Sequence, residues 1–143
     1  MIERVKWWIE TAGYSVAIIT SDGRIFAARG TSVRPLYRIF AAHRGELAGA
    51  AAADRIIGRA AASLLCAAGV TEAYAFVASE GGFALLERHG IKAGTARTVP
   101  YIENRAGNGM CPMEAAVEGV DDIEECVARL GTFIRNTDRG EDI

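Results

Sequence analysis

A chain of 143 residues, half of them hydrophobic, is long enough to bury one substantial core and calls for no second domain. A formal net charge of -2 gives no excess of positive potential and argues against a large nucleic-acid surface, while leaving room for a local basic pocket. No apolar run approaches the roughly 20 residues of a membrane span. Met1-Ile2-Glu3-Arg4 lacks the apolar core of a signal peptide, and the three cysteines, Cys66, Cys111 and Cys126, are an odd number at unrelated spacings. The expectation is a cytoplasmic protein with free thiols, one domain over 1–135 and a frayed tail over 136–143.

Ile2, Val5, Ile9 and Ala12 share one face of a first helix that ends at Gly13. Trp8 can join that face. Trp7 points elsewhere, either under another part of the fold or into a homodimer interface. Tyr14 to Thr20 and Ile25 to Ala28 read as two strands, and the Asp22-Gly23 turn between them marks an antiparallel hairpin. Thr31 or Ser32 can cap a short helix carrying Leu36, Ile39 and Phe40. Arg34, at its start, is either a solvated charge or a ligand-binding group.

Ala50 to Ala53 can be extended or helical. Propensity favours helix, and the main helix is expected from Asp54, as its cap, to Ala68, with Gly69 as the stop. Arg55 and Arg59 would then lie together near its positive end, where cations are unfavourable unless they meet an anion. Glu72 to Ala78, apolar on both faces, is the expected centre of the sheet. Ser79-Glu80-Gly81-Gly82 opens a helix through Phe83, Leu86 and His89, and Lys92 to Val99 is a strand nearer an edge. A loop follows, with Asn104, Arg105, Gly107 and Gly109. Cys111-Pro112-Met113-Glu114 starts a short helix, and Asp121 or Asp122 caps a last one along Ile123, Val127, Leu130 and Ile134.

With helices joining the second, third and fourth strands, these strands are expected to be parallel and to share one carboxyl edge. In α/β sheets, ligands bind at that edge. A cleft there would gather Asp54, Arg59, Ser79, Glu80, Asn104, Arg105 and Cys111. The expected fold class is α/β, a three-layer α/β/α sandwich with a mixed sheet of four or more strands.

Taken together, Val33-x-Pro35-Leu36, Asp54-Arg55-x-x-Gly58-Arg59-Ala60-Ala61-Ala62, Ser79-Glu80, Val99-Pro100-Tyr101-Ile102-x-Asn104-Arg105 and Cys111-Pro112-Met113-Glu114 resemble the family called domain of unknown function 1893, over about Tyr14 to Leu130. The resemblance implies a cytidine-deaminase-like fold. Zinc deaminases place a His or Cys two residues before a Glu at the first core helix, and Pro-Cys-x-x-Cys at the second. Here those places read Ala52-Ala53-Asp54 and Ser79-Glu80-Gly81-Gly82, and Cys111-Pro112 has the reverse order. No metal or other cofactor is expected, nor zinc-dependent deamination.

Three residues are candidates for chemistry. Cys111, at a helix start near Arg105, is either a nucleophile or a small residue filling a tight turn. Asp54 and Glu80 are acid-base partners in one reading and ordinary helix-end acids in the other. Arg59 and Arg105, with two helix N-termini, form a phosphate or carboxylate cradle or else a solvated face. No Walker or Gly-x-Gly-x-x-Gly loop is present. The residues therefore point to a small anionic ligand bound beside Cys111 as a candidate nucleophile, the fold resemblance implies a nucleotide-like one, and a non-catalytic ligand-binding or regulatory module is the alternative.

Overall fold

The computed structural model describes residues 1–141. In chain order its elements are α1 (Ile2–Glu10), β1 (Val16–Ile19), β2 (Ile25–Ala28), α2 (Arg34–His43), a 3-10 turn at Arg44–Glu46, β3 (Ala51–Ile57), α3 (Arg59–Ala68), β4 (Glu72–Ser79), α4 (Glu80–Arg88), β5 (Lys92–Val99), α5 (Pro112–Val117) and α6 (Ile123–Glu141). The strands form one sheet in the order β2-β1-β3-β4-β5. β1 is antiparallel to both β2 and β3, whereas β3, β4 and β5 are parallel.

Side-chain alternation along the strands sorts the core into two layers. On one face, Ala17, Ile19, Ala51 and Ala53 pack with Val5 and Ile9 of α1. On the other, Val16, Ile18, Ala52, Ala73 and Ala75 pack under residues of α2, α3, α4, α5 and α6. The result is a three-layer α/β/α sandwich with a mixed sheet. Trp8 is half-buried in the α1 layer, while Trp7 is 52% exposed.

The segment from Ala51 to Ile57 corrects the sequence reading. Asp54 and Arg55 do not begin a helix; they lie within β3, and α3 starts only at Arg59, after Gly58. Alanine prefers helix, but β3 is hydrogen-bonded by β1 on one side and β4 on the other, and these ladders override a preference worth only tenths of a kcal/mol per residue. Two further corrections follow. The middle of the sheet is β3, not β4, and the strand at Ile25–Ala28 pairs only with β1, although it runs in the same direction as the parallel set. β5 is an edge strand, as expected.

The helix ends obey the local signals more closely. Ser79 caps α4, its hydroxyl accepting from the Gly82 N–H at 3.0 Å. Asp122 receives the Glu124 N–H at 2.9 Å at the start of α6, and this helix runs past Asn136 to Glu141. Neither Thr31 nor Ser32 caps α2; its N-cap is Val33, and the nearest contact is a long 3.4 Å bond from the Arg34 N–H to the Ser32 hydroxyl. No helix among the described residues is long and apolar enough to cross a membrane.

Candidate functional site

The carboxyl ends of β2, β3, β4 and β5 share one edge of the sheet; Ser79 and Glu80 lie at that edge, where β4 passes into α4, whereas Asp54 lies in the middle of β3. One row of paired residues crosses the sheet as Ala28, Val16, Asp54, Ala75 and Thr95; on β3, β4 and β5 this row lies in the middle of the strands, below their carboxyl ends. Asp54 is the polar member of that row on the central strand. It is 7% exposed, and one carboxylate oxygen accepts from the Ile56 N–H at 3.3 Å. No ion pair among the described residues involves it. Burial pushes its pKa up to about 8; hydrogen bonds from the Ile56 and Arg55 backbone and the Arg55 charge offset only part of that. At neutral pH this carboxyl is largely protonated and can donate a hydrogen bond.

Beyond β3 the chain passes Gly58 into α3, and here the carboxylate of Glu114 arrives from α5. Its two oxygens accept from the Arg59 N–H at 2.7 Å and the Ala60 N–H at 2.9 Å. The first free donors of α3, with the positive end of the helix dipole, are thus filled by an anion of the protein itself. Two glycines make the fit. A Cβ on Gly58 would lie 2.1 Å from Glu114 Oε1, and one on Gly82 would lie 2.7 Å from the Gly58 carbonyl carbon. The starts of α3 and α4 therefore touch through backbone. Burial raises the Glu114 pKa, opposed by the two backbone hydrogen bonds and the Arg59 charge.

Arg59 does not offer its guanidinium to an external anion in this arrangement. Its Nη2 donates to the Val120 carbonyl at 2.7 Å, its aliphatic carbons lie 3.4 Å from where Gly81 would carry a Cβ, and its Nε is buried without a partner. Ser79 is likewise occupied with its own helix, and Glu80 is exposed at the first position of α4. Asn104 and Arg105 lie in the loop after β5. Asn104 is engaged with Asn108, donating from Nδ2 at 2.9 Å and accepting the Asn108 N–H at 3.2 Å; Arg105 is exposed.

Cys111 is the N-cap of α5, but its side chain forms no capping hydrogen bond, and the residue packs partly against the main core. Among the described residues no hydrogen bond joins its thiol to either histidine. His43 Nδ1 is 2.6 Å from Glu46, and His89 Nδ1 is 3.0 Å from the Leu85 carbonyl. Cys66, pushed up to about 11 by burial, and buried Cys126 are inert core thiols. Arg34 lies at the start of α2 and is paired with Asp138 of α6 at 2.8 Å. Among the described residues no three His, Cys, Asp or Glu side chains gather as a metal-binding group.

The sequence reading expects Asp54 with the helix starts at one edge; Asp54 instead lies in the middle of β3, and Glu114, Gly58 and Gly82, which that reading does not include in the site, build the start of α3. The signal lay in Cys111-Pro112-Met113-Glu114, where Cys111 drew attention and the partner of the α3 N-terminus is Glu114.

The fold is similar to that of a solved structure, a DUF1893 family protein (TM1506) from Thermotoga maritima. The TM-score is 0.83 at 23% identity, over 91% of this chain and 87% of that one. No curated protein matches the chain. The family model for the domain of unknown function DUF1893 matches residues 4–134, and the chain belongs to that family.

Proposed function

We propose that the chain is a ligand-binding module on a cytidine-deaminase-like fold, holding a small polar molecule between Asp54 and the carboxyl edge of the sheet by reversible contacts rather than covalent chemistry. The observation that carries this reading is Asp54. A carboxyl kept buried on the central strand, with no cation paired to it, opposes folding at neutral pH, and such groups concentrate where a ligand is met. Its proton can be donated to a ligand oxygen or nitrogen. Ser79, Glu80, Asn104, Arg105 and Cys111 lie on segments that leave the same edge and supply its rim.

The deaminase-like reading is supported by the order of elements: an antiparallel hairpin, then three parallel strands alternating with α3 and α4. With α3 beginning at Arg59, the residues at the two helix starts are Gly58-Arg59-Ala60 and Ser79-Glu80-Gly81-Gly82. This donor set does not fit zinc, which needs three nitrogen, sulfur or carboxylate ligands from the protein. The enzymatic reading, with Cys111 as nucleophile and Asp54 or Glu80 moving the proton, has less support. Among the described residues no hydrogen bond joins the Cys111 thiol to a base, and the donors of α3 that would steady a developing anion are taken by Glu114.

Native against denaturing mass spectrometry tests the reading. The expected result is a small mass carried by the folded wild type, lost on denaturation and absent from Asp54→Leu. A bare wild-type chain under both conditions overturns the reading. An added mass that survives denaturation and maps to Cys111 favours the enzyme.

A further inference from the structure

A second place in the molecule combines a hollow, hydrogen-bond donors and positive charge, and its lining includes neither Asp54 nor Glu114. α2 and α6 are linked near both ends, by Arg34 with Asp138 and by Arg44 with Glu124. Between those links an open hollow of about 440 Å³ is lined by Arg34, Tyr37, Arg38, Ala41, Ala42, Ile134 and Asp138. Its volume falls in the range of small-molecule sites, roughly 300–1,000 Å³.

Gly131 explains how the hollow is shaped. It lies inside α6, where glycine costs about 1 kcal/mol relative to alanine, so some feature of the packing must require it. A Cβ there would lie 2.7 Å from the Tyr37 hydroxyl and 3.2 Å from Arg135 Nη1. The missing side chain is what allows this hydroxyl and this guanidinium to approach the same point. The Tyr37 hydroxyl bonds to no described group, and no ion pair among the described residues involves Arg38 or Arg135. Arg34, paired with Asp138, and Arg38 line the hollow, and Arg135, which donates to the Thr132 hydroxyl at 3.4 Å, approaches it beside Gly131. Ala41, Ala42 and Ile134 add apolar surface.

We propose that the hollow between α2 and α6 is a binding site for a small organic anion, an oxyanion carried on an apolar body. The oxyanion is received by Arg38, Arg135 and the Tyr37 hydroxyl, and the body lies on Ala41, Ala42 and Ile134. A carboxylate and a phosphate monoester share this chemistry: both present acceptor oxygens that arginine meets in pairs. The site is independent of the Asp54 reading, and either can fail without the other.

The test is titration of the isotopically labelled full chain with benzoate, phenyl phosphate and, as the neutral control, benzyl alcohol, followed by amide NMR shifts. The expected result is saturable shifts at Tyr37, Arg38, Gly131 and Ile134 with one or both anions and none with the alcohol. Arg38→Gln, on an exposed side chain, should weaken binding about tenfold, the scale of one charge-assisted hydrogen bond. Tyr37→Phe should weaken it less. Tighter binding of phenyl phosphate or of benzoate identifies which oxyanion the site takes. No shifts at these residues, equal shifts with benzyl alcohol, or anion binding unchanged by Arg38→Gln overturns the proposal.

Discussion

Glu114 and Gly58 meet so closely that no methyl group fits between them: a Cβ at position 58 would be 2.1 Å from Oε1 and 2.5 Å from the carboxyl carbon. Gly58→Ala must therefore expel the carboxylate from the start of α3 and leave the Arg59 and Ala60 N–H groups without their partner. The expected loss of stability is about 2–4 kcal/mol by urea denaturation, the sum of overpacking and unmade hydrogen bonds. An effect below about 0.5 kcal/mol would mean that the contact is not made in solution.

The same pair can be examined from its other side. Glu114→Ala removes the acceptors and should cost roughly 1–3 kcal/mol. Once Glu114 is gone, the methyl group of Gly58→Ala has space, so the double variant should be more stable than the two single losses predict. A coupling near zero would contradict the geometry.

Asp54 makes stability depend on pH in a definite direction. The folded chain keeps a proton that the unfolded chain releases near the ordinary value of 3.8, so this group's contribution falls as pH rises from about 4 through about 8. Asp54→Asn keeps the shape and removes the titration. Relative to wild type it should gain stability steadily over that window, by at least about 1.4 kcal/mol, the value of a single pKa unit. Parallel curves for the two proteins would place the Asp54 pKa near that of an exposed carboxyl.

Thiol labelling separates the cysteines. Cys66, held up to about 11 against a usual 9.0, should alkylate at pH 8 about a hundredfold more slowly than a free thiol, from its thiolate fraction alone. Mass mapping of alkylated peptides over time reads this directly. Comparable rates at Cys66 and in a model peptide would show that the helix face between α3 and α4 is open.

The parts of the fold legible in the sequence are those where local chemistry and tertiary structure agree. The Asp22-Gly23 turn, the Val5 and Ile9 stripe, the Ser79 cap and the Pro112 helix start each carry their signal within a few residues. β3 does not. Ala50 to Ala53 has no β-branched residue and no polar alternation, and what makes it a strand is the company of β1 and β4, which are distant in sequence. Local propensity puts Asp54 at a helix cap, whereas the ladders hold it inside β3 and leave Gly58 as the N-cap of α3. Glu114 was hidden for a related reason: the donors it meets are 55 and 54 residues away, a separation that no local pattern encodes.

The alanines of β3 carry a further consequence. Freed from its neighbours, the peptide spanning residues 50–68 would have no ladder to hold it extended, and its composition would favour a continuous helix broken only around Gly58. The middle of this sheet is thus a chameleon segment, helical by inclination and extended by tertiary context. A chain truncated before β4 would lack one of the two strands that impose the extended form, so the protein's central layer should assemble as a unit. Circular dichroism of the isolated peptide in a helix-promoting solvent, compared with the same residues in the intact protein, would reveal the two conformations of one sequence.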